Sequence, residues 1–493
     1  STPEGTLFPY TTLFRSAKER NLEGYVITLQ FPSLLPILTY AENRELRKEL
    51  AIANGKKSFD GGEFDNQNLI KELVQLRQEK AQLLGYKSFA DYVLEERMAK
   101  SPQKVLEFLN ELLTKAKPFA EKEVEELSVL AKADGITEMQ SYDHAYYAEK
   151  LRKQKFDFND EELKPYFQLD KVQEAVFGLA GKLFGLEFVE TTDIQKYHAD
   201  VKTYEIFERC ETRDNRYEIE NVESLETRNP ELGTQFKALL YADYHPRKGK
   251  RAGAWMTSFK NQYIKNGKNH RPHISVVCNF TKPTAETPSL LTFNEVTTLF
   301  HEFGHALHGV LANTQYPNLS GTSVKWDFVE LPSQFLENYC YEPEFLKTFA
   351  KHYQTGEVLP DEKIQKIEDS KNFMEGYQTL RQLSFGILDM SYHAENVKVE
   401  DVKTFETETI KATQVYPTLA ETAVSTSFSH IFQGGYSAGY YSYKWAEVLD
   451  ADAFQYFKEN GVFDPLISKK FKTLLESGGT KDPMELYKNF RGS

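Results

Sequence analysis

Thr292–Gly309, TFNEVTTLFHEFGHALHG, and Trp326–Tyr339, WDFVELPSQFLENY, decide how the rest of the chain is read. In the first stretch Phe293, Val296, Phe300, Phe303, Leu307 and Val310 recur at steps of three and four, one apolar face of a 3.6-residue period. Thr292 followed three residues later by Glu295 is a capping-box pattern, so a helix is expected to start there. On that helix His301 and His305 lie one turn apart and point the same way.

Two imidazoles so placed can share one metal ion, and Glu302 sits where its carboxylate can take a proton from water without binding the metal. This is the His-Glu-x-x-His pattern of zinc hydrolases. A catalytic zinc site needs three protein ligands and an open position. Glu330 is the best third candidate: the intervening chain is long enough to reverse and bring a second helix across the first. Two bland readings stand beside these. His308, one turn past His305, is read as an outer contact or a packed side chain. Asp327 and Glu330 also fit a capping pair that opens the second helix.

HEFGHALHG, GTSVKWDFVELPSQFLEN (321–338) and FSHIFQGGYSAGYYSYKW (428–445) together resemble the thimet-oligopeptidase-like family of zinc metallopeptidases, and within it the bacterial peptidyl-dipeptidase (Dcp) branch. The resemblance runs from about Ala17 to the closing DPMELYKNFRG. It implies one zinc ion per chain on His301, His305 and Glu330, with Glu302 as general base. It implies a mainly α fold with a small β-sheet, a two-lobed zincin-type body around a deep substrate channel. The activity implied is hydrolysis of short unfolded peptides, with release of C-terminal dipeptides. An endo-oligopeptidase of the same chemistry, a truncated and catalytically impaired peptide-binding protein, and a zinc aminopeptidase are the alternatives.

The chain has 493 residues, 40% hydrophobic and 27% charged, which suits a globular protein of two or three domains. A formal charge of −13 argues against a nucleic-acid partner, since phosphate binding wants a basic face. No run approaches the roughly 18 apolar residues of a membrane span. Cys210, Cys278 and Cys340 are too widely spaced for a disulfide framework or a zinc ribbon. A monomer in the cytoplasm is expected, with the periplasm as the alternative if a signal peptide preceded this sequence.

Residues 1–16, STPEGTLFPYTTLFRS, are set aside as a non-native leader, and a further N-terminal helical region of the family is read as missing. Residues 17–195 are expected to form a helical lobe, 196–345 the catalytic region and 346–493 a C-terminal helical region. Ser101-Pro102 marks a helix start with Val105, Leu109 and Leu112 on its inner face and Gly135 as a stop. The charge run EKEVEEL (121–127) reads as a solvated face. Residues 204–233 turn polar and are read as an inserted surface loop.

FKALLYADYH (236–245), GAWMTSF (253–259) and ISVVCNF (274–280) read as strands, with Asn266-Gly267 as a turn between the last two. GAWMTSF, with Ala254 as its substrate-binding residue, is the candidate edge strand for pairing with a peptide main chain; an interior strand fits the pattern as well. Gly434-Gly435 makes a flexible loop. Tyr436, Tyr440 and Tyr443 follow at helical steps, a spacing that by itself describes core. The family resemblance instead implies that Tyr443, Tyr436 and His430 hydrogen-bond the substrate carbonyl and developing oxyanion, with Tyr440, Gly434 and Gly435 supporting the substrate loop.

Overall fold

A computed structural model describes residues 21, 23–156, 160–209, 233–251 and 253–492. The leader 1–16, Cys210 and the core of the expected insertion, 210–232, lie outside these. The chain divides into two units, one of residues 1–161 and 366–444 and the other of residues 162–365 and 445–493. Each is therefore assembled from two separated segments. The contiguous division at 195 and 345 expected from the sequence misses this, because linear order does not show that late helices pack on early ones.

In the first unit the helix Pro102–Ala133 starts where expected: the Ser101 side chain accepts the Lys104 N–H, and Pro102 occupies the first turn. Its buried positions begin with Val105, Leu109 and Leu113, so the inner face continues through Leu113 and not Leu112. It packs against the helix Glu375–Tyr392. Glu123, read from sequence as solvated, accepts the N–H groups of Gly376 and Tyr377 at 3.0 and 2.7 Å and so satisfies orphan donors at that helix's start. Gly376 is required there, since a Cβ would stand 2.6 Å from the Ala120 nitrogen.

In the second unit seven short strands are described: β1 Leu186–Glu190, β2 Lys202–Arg209, β3 Thr234–Asp243, β4 Trp255–Lys260, β5 Tyr263–Lys265, β6 Lys268–His270 and β7 His273–Val277. The main sheet has the order β1-β2-β3-β7-β4, parallel at β3/β7 and antiparallel elsewhere. Residues 204–209, expected in a loop, belong to β2, where Tyr204, Ile206 and Phe207 are buried. Asn266 and Gly267 do turn the chain, with φ of 54° and 76°, but they close the separate hairpin β5–β6. GAWMTSF supplies β4, which is an edge strand of the main sheet among the described residues; the interior alternative is set aside.

The link from β3 to β4 is pinned by Asp243. Burial opposes its ionisation, yet Arg247, Lys250 and Tyr197 hold its pKa at about 2. Lys250 Nζ also reaches the carbonyls of Asp243, His245 and Cys278, tying the link to the end of β7. Cys278 and Cys340 are both buried. Among the described residues no helix is long and apolar enough to cross a membrane.

Candidate metal centre and active site

The helix Phe293–Leu311 carries the first motif, and its N-terminus shows the expected capping box between Thr292 and Glu295. Its apolar face, including Val296, Phe300, Phe303 and Leu307, is buried, and the helix packs on β7, β4 and the helix Leu331–Glu337. That last contact is unusually close. A Cβ on Gly304 would stand 2.4 Å from the Pro332 carbonyl oxygen and 2.5 Å from the Ser333 Cα. Gly304 lies between the two histidines, so its bare backbone is what lets the second helix bring Glu330 up to them.

The result is a three-donor cluster. Glu330 Oε2 lies 3.3 Å from His301 Nε2 and 3.1 Å from His305 Nε2, and one ligand atom from each residue falls within 4.8 Å of the others. Zinc bonds of about 2.0–2.2 Å at tetrahedral angles place neighbouring ligand atoms about 3.3–3.5 Å apart, so the donor set fits a zinc ion in both chemistry and spacing. Glu330 stands at the N-cap position of its helix but makes no side-chain capping hydrogen bond. Burial disfavours its charge, but His305 and His301 hold the carboxylate well below its usual range. It is an anion facing two imidazoles, the arrangement a cation completes.

Two further carboxylates frame the cluster. Glu302 is buried beside the ligands; burial foremost raises its pKa, against the two imidazoles, which favour its charge. Glu337 Oε1 lies 2.6 Å from His301 Nδ1. Sequence reasoning missed Glu337, though its position seven residues after Glu330, two turns along one helix face, is a signal in hindsight. A carboxylate on the far nitrogen fixes the tautomer and orientation of a metal-binding imidazole. Glu337→Gln is expected to weaken zinc binding by about 10- to 100-fold without unfolding the protein, checked by competition with a chromogenic chelator.

His308 is wholly buried, neither ring nitrogen has a hydrogen-bond partner, and burial lowers its pKa to about 3. It stands outside the donor cluster as a packed neutral side chain. Ala254 immediately precedes β4 and is half-buried.

The remaining expected residues lie in the first unit. Gly434 and Gly435 form an exposed bend, and the helix begins only at Ser442, so Tyr436 lies between bend and turn, Tyr440 on the turn and Tyr443 in the first helical turn. Their rings nonetheless gather: Tyr436 stacks on Tyr443 at 5.1 Å, Tyr440 lies 5.2 Å from Tyr443, and His430 is 5.7 Å from both Tyr436 and Tyr440.

A His-Glu-x-x-His helix crossed by a carboxylate-bearing helix beneath a small mixed sheet is the architecture of a metallopeptidase. The model of peptidase family M3 matches residues 37–219 and 211–493 of this chain, the two spans overlapping inside the expected insertion. Oligopeptidase A of Escherichia coli (strain K12) is 40% identical over 97% of this chain and 68% of its own length. The dipeptidyl carboxypeptidase of the same organism is 37% identical over 97% of this chain and 67% of its own length. Among solved structures, PZ peptidase A with inhibitor 2 matches with a TM-score of 0.58 at 18% identity, over 98% of this chain and 70% of that one. The chain belongs to peptidase family M3. It is a peptidase, and the family relationship implies a metal ion.

Proposed function

We propose that the protein hydrolyses short unfolded peptides with one zinc ion held by His301, His305 and Glu330, and that it releases C-terminal dipeptides. The observation that carries the zinc reading is the three-donor cluster with a buried carboxylate, Glu302, beside it. When bound, zinc supplies a Lewis acid that polarises the scissile carbonyl and acidifies the attacking water. Glu302 takes the water's proton on a carboxylate oxygen and delivers it to the leaving amine nitrogen. Glu337 orients His301. Tyr443 and Tyr436, with His430, donate hydrogen bonds to the substrate carbonyl and to the oxyanion that develops from it. The edge strand β4, entered at Ala254, pairs with the substrate main chain, which makes binding tolerant of sequence.

Dipeptide release is supported by the resemblance of the three motifs to the peptidyl-dipeptidase branch and by a relative named dipeptidyl carboxypeptidase. Internal cleavage is the second reading, favoured by the relative named oligopeptidase A at similar identity. Removing metal with a chelator is expected to abolish hydrolysis of a quenched fluorescent peptide, and stoichiometric zinc to restore it. Full turnover by metal-free protein would overturn the zinc reading.

A further inference from the structure

The segment that carries His430, Tyr436 and Tyr440 is held at both ends by one buried network that the sequence motifs do not contain. Asp389, on the helix Glu375–Tyr392, is wholly buried. Its Oδ1 accepts the N–H of Ala438 at 2.8 Å, and its Oδ2 accepts those of Gly439 and Tyr440 at 2.8 and 2.9 Å. Three consecutive main-chain donors converging on one carboxylate form a nest around an anion. The turn they make is not one a free chain favours, because Ala438 has φ of 51°, in the left-handed region that a Cβ disfavours.

The other end is held through His393 and Arg77. Arg77 Nη1 lies 2.9 Å from His393 Nε2 and donates to the Ile431 carbonyl at 2.8 Å, while Nη2 donates to the Phe432 carbonyl at 3.3 Å. These carbonyls close the short helix Ser429–Phe432, which bears His430. Because a guanidinium can only donate, His393 Nε2 is the acceptor and the ring proton sits on Nδ1. That proton points at Asp389, whose carbonyl and Oδ1 lie 2.8 and 2.9 Å away. Arg77, His393 and Asp389 thus form a continuous chain of charge-assisted bonds from residue 431 to residue 440, with Gly434 and Gly435 spanning the interval between the anchors.

We propose that Asp389 is a positioning residue for the reaction: it sets where the hydroxyls of Tyr436 and Tyr443 stand, with Arg77 and His393 completing the clamp. This rests on the reading that these tyrosines act on the substrate. Asp389 itself touches no reacting atom. Its carboxylate accepts from all three N–H groups, whereas an asparagine would turn an NH2 group toward some of them and leave donors unpaired.

The test is steady-state kinetics on the zinc-loaded full chain for Asp389→Asn, for Tyr436→Phe/Tyr443→Phe, and for the three changes combined. Asp389→Asn is expected to lower kcat by about 10- to 100-fold, the scale of a group misplaced by about 1 Å. KM, zinc content and circular dichroism are expected to stay near those of the wild type. In the tyrosine-less background the same change should cost far less, because its effect runs through hydroxyls already removed. Full kcat in folded Asp389→Asn, or an equal loss with and without the hydroxyls, overturns the proposal while leaving the tyrosine reading intact. Full kcat in the double phenylalanine variant overturns that reading and the proposal with it. If Asp389→Asn does not fold, Arg77→Lys replaces it under the same criteria, since it keeps the charge but loses the fork to His393 and the two carbonyls.

Discussion

Glu302→Gln is expected to retain its zinc and lose about 1,000- to 10,000-fold in kcat, or about 4–5.5 kcal/mol of transition-state stabilisation. Glutamine has nearly the same shape and volume, so it fills the same buried position beside the ligands. What it cannot do is take a proton from water and return it to the leaving amine. The substitution therefore isolates proton transfer from metal binding, and zinc content measured on the same sample separates the two. A variant that kept its turnover would remove Glu302 from its role as base and leave it as a buried side chain beside the metal.

Glu330→Ala has the largest expected effect on the metal. The glutamate approaches both histidines and accepts a bond from Ser333 Oγ at 3.0 Å, so its oxygen is one corner of the donor set and not a surface charge. Removing it should weaken zinc binding by more than the roughly 100-fold that an outer contact controls, and activity should fall in parallel. Titration of the metal-free variant with zinc reads this directly. Unchanged affinity would remove Glu330 from the donor set and leave it a buried carboxylate beside the histidines.

Much of the site was legible before any coordinates, because its determinants are local. The 3.6-residue period, the Thr292–Glu295 cap and the one-turn spacing of His301 and His305 all follow from helix geometry, and the structure repeats them. The groups that support the cluster and the tyrosine segment were not legible, because their partners are distant in sequence. Gly304 reads as an ordinary helical residue until the backbone at Pro332 and Ser333 is seen against it. Nothing local marks Glu337 or Asp389, yet one faces an imidazole and the other accepts main-chain N–H groups of a segment about fifty residues later.

The sheet was half legible for a related reason. Its apolar strands β3, β4 and β7 stand out by composition, whereas β2 hid its alternating Tyr204 and Ile206 among the charges of a longer polar stretch. The edge position of β4 depends on strand order, which no local pattern encodes. Glu123 shows the same limit from the other side: a residue in a charge run turned out to cap a helix whose bonded N–H groups lie 253 and 254 residues later.

The most direct test of the account is mass spectrometry of an N-acetylated peptide of about ten residues, short enough for an oligopeptide site, incubated with zinc-loaded wild type and with Glu302→Gln. The account predicts successive loss of C-terminal dipeptides with the wild type and an intact peptide with the variant. Cleavage at a single internal bond would contradict dipeptide release and leave the endo-oligopeptidase reading. Equal cleavage by both proteins would contradict the chemistry assigned to the cluster itself.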